Sequence, residues 1–288
     1  MKRLKLAELI SSLSHALDIT EGQPAGHCVR CCWIGMHIGR RYGLNEAQLW
    51  NLYYTLLLKD LGCSSNAARI CALYLTDDLS FKRDYKTVGD SLPKVLNFVL
   101  KHTGLKAGLA ERFRSVLTIV AEGGEIAREL IATRCHRGAE ISRLLRFSEE
   151  VAEGIYSLDE HFNGEGHPAG LSGAAIPVYS RIALLAQVID VFHTQGGQQE
   201  ALQEIRERSG RWFDPALVQI AEQLEEIPEF WAALSTPEIS EKILALEPVG
   251  EAVELDEDYL DDIAAAFGQV VDSKSPYTAG HSERVALY

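Results

Sequence analysis

One arrangement of residues occurs twice in this chain: Asp18 stands nine residues before His27, Asp272 stands nine before His281, and Ala-Gly precedes the His in both copies. A repeat constrains architecture more than any local propensity does, because each copy marks the start of a unit with its own core. Apolar pairs lead into both aspartates, Ala16-Leu17 in the first and Val270-Val271 in the second. The expected organisation is a domain over residues 1–246, an acidic linker over 247–256, and over 257–288 the first helix of a second domain, cut short at Tyr288. From Glu251 to Asp262 the chain carries acids and no base, which suits a solvated connection.

Composition excludes several partners. At 288 residues the chain is long enough to bury a sizeable core. Its net charge of −13 speaks against a nucleic acid polymer, since phosphate neutralisation needs a basic surface. Arg181 and Asp190 bound or interrupt the longest apolar run, so no segment reaches the length a membrane helix requires. The start, Met1-Lys2-Arg3 running into a charged LKLAEL, does not read as a signal peptide. Cysteines without framework spacing fit free thiols in a reducing compartment, and the expected location is the cytoplasm.

The pattern is helical nearly throughout, so the expected fold class is all-α. Asp214-Pro215 and Thr236-Pro237 each place proline at a first helical position behind a capping residue. Asn45 with Gln48 forms a capping box ahead of LWNLYYTLLL, and Gly43 and Gly104 stand where helices end. Asn163 to Pro177 departs from the pattern: rich in glycine and proline, it reads as a loop.

Polar residues set into these apolar helices carry the chemistry. In order they are His27, Asp60, His136, Asp159 with His161, and Asp190. A carboxylate on an apolar face needs a proton, a partner or a cation, so Asp60 and Asp190 each ask for one. Histidine and aspartate together suit a divalent transition metal, and two metals can clamp a phosphate ester and activate water. The plainer alternative is that each is satisfied separately by a helix cap or an arginine.

Six pieces in order resemble the HD-GYP subgroup of the HD-domain metal-dependent phosphohydrolases: AGHCVR, LLLKDLG, HRGAEI, LDEHFNGEGHP, AQVIDVF and RSGRWFDPAL, covering roughly Leu13 to Glu222. The resemblance implies an HD-domain helical bundle with a glycine-rich loop, and a metal centre that hydrolyses cyclic di-GMP. It implies His27, Asp60, His136, Asp159 and Asp190 as metal ligands, the doublet position held by Lys59 and Asp60 as the catalytic one, and a divalent ion of Fe, Mn, Zn or Ni. It also implies that the loop carrying Gly164, Gly166, His167 and Pro168 meets a GGDEF-type cyclase.

The sequence departs from the subgroup's pattern at the ligands. Lys59 stands where the doublet's His belongs, Leu158 and Asp159 replace a His pair, Cys63 replaces a Lys, and His167 replaces the Tyr before Pro168. An ammonium at Lys59 is a compact cation able to neutralise Asp60 in place of a metal. Two functions follow. The expectation is a regulatory copy with an impaired metal centre, pairing with a second HD-GYP domain of the same protein. The alternative is a metal-dependent phosphodiesterase with an altered ligand set, acting on cyclic di-GMP or another phosphate ester.

Overall fold

The computed structural model describes residues 5–20, 24–66, 109–249, 255–272 and 281–286. Among them every regular element is a helix, as the all-α reading expects, and the one extended pairing is an isolated bridge between Ser209 and Phe213. The first three helices are α1 (Leu6–Thr20), α2 (His27–Tyr42) and α3 (Glu46–Leu58). A 3-10 turn over Cys63–Asn66 follows. Next come α4 (Leu109–Leu144), α5 (Glu149–Tyr156) and α6 (Val178–Glu207), the last broken at Gly197. The short helices α7 (Pro215–Glu222), α8 (Pro228–Ala233) and α9 (Ile239–Ala245) lead to α10 (Glu257–Asp272) and α11 (His281–Ala286).

Local chemistry sets most of these ends. Asn45 accepts from the Gln48 amide and Gln48 returns the bond to the Asn45 amide, the reciprocal pair read from the sequence. Gly43 closes α2 in the left-handed region, and Asp214 caps α7 ahead of Pro215. The start read at Thr236-Pro237 is two residues early: Pro237 lies in a turn, and α9 begins at Ile239.

The core gathers around α2, which packs most extensively on α3 and α6. Leu52, Leu56, Ile182, Leu185 and Ile189 are among the buried side chains that fill this centre. α4 and α5 pack beside it, and a close approach fixes where α4 sits. A Cβ on Gly62 would lie 1.9 Å from the Arg134 carbonyl oxygen of α4, so only glycine admits this contact. The turn that follows Asp60 is thereby held against α4.

The repeated sequence has a structural meaning. The Asp18 carboxylate accepts from the amides of Gly26 at 2.7 Å and Cys28 at 3.0 Å, capping the helix that starts at His27. Asp272 accepts from the Ser282 amide at 3.0 Å and its hydroxyl at 2.8 Å, capping the helix that starts at His281. The region 257–288, read as one truncated helix, therefore contains two helices, α10 and α11, on either side of residues 273–280. Residues 67–108 and the middle of the acidic linker fall outside the described residues.

Candidate active site

Three helices deliver the central residues. His27 opens α2, Asp190 lies on α6, and Lys59 and Asp60 follow the last turn of α3. All four are buried, none above 2% exposed. The Lys59 ammonium donates to Asp60 Oδ2 at 2.5 Å and to Gln187 Oε1 at 3.1 Å, and stands 3.0 Å from His27 Nε2. Because an ammonium has no lone pair, that imidazole nitrogen must accept. The His27 proton then sits on Nδ1, which donates to Asp190 Oδ2 at 2.6 Å. Arg30, one turn beyond His27, donates Nε–H to Asp190 Oδ1 at 2.6 Å and a second N–H to Oδ2 at 3.1 Å.

The charges support one another. Burial alone would pull the Lys59 ammonium down, but the Asp60 carboxylate outweighs it and holds its pKa well above the usual lysine range. Burial would raise the Asp190 carboxyl, yet the His27 hydrogen bond and Arg30 keep it below the ordinary aspartate value. Thiols surround the cluster: Cys28 lies 3.4 Å and Cys63 3.6 Å from the Asp60 oxygens, and Cys31 is 3.8 Å from both His27 nitrogens. Burial pushes the Cys31 thiol far up, so it is neutral.

Two expected ligands lie elsewhere. His136 is exposed, its Nδ1 3.1 Å from the Ala132 carbonyl and its ring edge-on to Tyr156. On α4 it is Cys135 that turns inward, and residues adjacent on a helix point about 100° apart. Asp159 is half-buried and paired with Arg134, with the Cys135 thiol 3.6 Å away. It approaches Asp60 only indirectly, through Arg134 and Cys63.

The loop is ordered by its own contacts. Glu160, buried, accepts from the amides of Ala169 at 2.6 Å, Gly170 at 3.1 Å and Leu171 at 2.8 Å. Phe162 and Asn163 amides donate to the Trp212 and Arg211 carbonyls, and the His161 ring stacks on Trp212 at 4.3 Å. Gly164 takes a left-handed turn. Gly166 is buried against the His161 backbone, while His167 and Pro168 are half-buried.

Residues 115–217 match the HD domain family. The chain is 59% identical over 283 residues to a 3'3'-cGAMP-specific phosphodiesterase of Vibrio cholerae serotype O1, covering 98% of this chain and 62% of that protein. A crystal structure of a cyclic GMP-AMP specific phosphodiesterase of Vibrio cholerae matches with a TM-score of 0.76 at 52% identity, over 98% of this chain and 64% of that one. A cyclic di-GMP phosphodiesterase of the same organism is 32% identical over 115 residues, 38% of this chain and 23% of that protein. This kinship overturns the expected regulatory copy with an impaired centre and favours the phosphodiesterase alternative.

HD domains are metal-dependent, and among the described residues one group offers ligand atoms close enough to share an ion: His27, Cys31 and Asp190, within 4.8 Å of one another. In the observed arrangement these donors do not fit a divalent ion. His27 Nε2 faces the Lys59 ammonium, and both Asp190 oxygens are held by Arg30 and His27. Arg30, Arg134, Gln187 and Glu160 were not among the residues expected at the site. Spacing could have found two of them, since Arg30 follows His27, and Gln187 precedes Asp190, by about one helical turn.

Proposed function

We propose that this chain is part of a phosphodiesterase that hydrolyses a cyclic dinucleotide, with 3'3'-cGAMP as its preferred substrate over cyclic di-GMP. The observation that carries this is the 59% identity, along 98% of the chain, to a phosphodiesterase named for that substrate. The similarity to a cyclic di-GMP phosphodiesterase is lower and shorter, which sets the order of preference. Because the chain spans 62% of the cGAMP-specific relative, turnover is proposed for the enzyme as a whole. No step is routed through a metal at His27, where an ammonium already stands.

In the same reading, Asp272 and His281 open a second unit on the plan of Asp18 and His27. The matching caps on α2 and α11 support it. No helix among the described residues is long and apolar enough to cross a membrane.

The test is hydrolysis of 3'3'-cGAMP and of cyclic di-GMP by the purified protein, with manganese or ferrous iron supplied. Linear dinucleotide from 3'3'-cGAMP, formed at least about tenfold faster than from cyclic di-GMP, is the expected result; that ratio corresponds to about 1.4 kcal/mol of transition-state discrimination. Hydrolysis of neither, or preference for cyclic di-GMP, would sink the proposal.

A further inference from the structure

We propose that the cation position at the centre of this cluster belongs to Lys59, and that fixed side-chain cations, rather than divalent ions, compensate the carboxylates gathered there. This goes beyond the substrate reading and does not depend on it.

Each of the two central carboxylates has its own organic cation: Asp60 has Lys59, and Asp190 has Arg30. Lys59 is placed as an ion would be. Its ammonium meets acceptors from three parts of the fold: His27 Nε2 on α2, Asp60 Oδ2 after α3 and Gln187 Oε1 on α6. Those contacts, at 3.0, 2.5 and 3.1 Å, are hydrogen-bond lengths. A bound zinc ion, by comparison, draws nitrogen and oxygen donors to about 2.0–2.2 Å. The shell is thus too wide for the ion, and its centre is filled.

Electrostatics closes the position further. A divalent ion entering at His27 and Asp190 would stand beside Lys59 and Arg30, two like charges in a place where water cannot screen them. The lysine reaches the cluster from the C-cap of α3, where its backbone is still right-handed helical, and its ammonium meets the Asp60 carboxylate beside it.

The experiment measures metal and heat stability, with no reference to turnover. The purified chain, prepared without chelator, is analysed for Fe, Mn, Zn and Ni, then unfolded thermally with and without EDTA. The expected result is well below one equivalent of metal at these residues and a melting temperature unchanged by EDTA. A stoichiometric ion that is lost in Asp190→Asn and whose removal lowers the melting temperature would overturn the proposal. Lys59→Ala supplies the second reading. Its melting temperature is expected to fall and to be partly restored by manganese or zinc, which leave the wild type unchanged. A Lys59→Ala protein as stable as the wild type would also overturn it. If that variant does not fold, the wild-type metal content and its response to EDTA still decide the question.

Discussion

Lys59 and His136 show why residue-level reading succeeds only where the local backbone is known. Residues adjacent on a helix point about 100° apart, so sequence adjacency alone does not bring Lys59 and Asp60 to one place. Lys59 is the C-cap residue, still right-handed helical, yet its long stem carries the ammonium round to the Asp60 carboxylate in the cluster. His136 is the converse case: α4 continues through it, and the register that buries Cys135 leaves the imidazole outside. A third histidine has a measurable consequence. His37 packs against Trp33 and Phe230, and burial with Arg41 and Arg40 nearby lowers its pKa to about 4 from the usual 6.5. Below the ordinary value the unfolded chain takes up a proton that the folded chain refuses. Stability should therefore fall as pH drops from about 6.5 toward about 4, and His37→Gln should flatten that slope. Urea midpoints for both proteins between about pH 7 and about pH 5 test this. Parallel slopes in the two would exclude His37 as the source.

At the level of elements, the caps were legible because they depend on neighbours in sequence. Asn45 with Gln48, and Asp214 with Pro215, need no knowledge of the tertiary fold. The position of α4 was not legible, since it is set by a contact across more than seventy residues, between Gly62 and the Arg134 carbonyl. That contact holds Arg134 near Cys63 and Asp159, so it orders part of the cluster as well as the packing. Gly62→Ala should force the turn and α4 apart and destabilise the protein by about 3 kcal/mol, the upper range for overpacking a tight core. Denaturant unfolding gives the value; a change below about 1 kcal/mol would mean the two backbones separate easily.

Across the whole molecule, the segment after the acidic linker folds back onto the body. Tyr259 donates its hydroxyl to the Leu145 carbonyl at 2.9 Å, Arg146 lies over the Tyr259 ring and pairs with Asp262, and Ser64 donates to the Val270 carbonyl at 2.8 Å. Ile263, Ala266 and Val270 are buried in this seam. Helical periodicity in the sequence indicates a helix here, but not the surface it covers, because its partners on α4 and the turn after Asp60 are remote in the chain. Tyr259→Ala should loosen α10 and speed protease cleavage in the acidic stretch, while leaving the central helices protected; limited proteolysis with mass analysis reads this directly. Equal cleavage rates in variant and wild type would show that the tyrosine is not what holds the seam. The buried ammonium has a consequence of a different kind. A positive charge built into the chain arrives with translation, one per molecule, so its occupancy follows protein synthesis and is indifferent to the supply of ions in the surroundings.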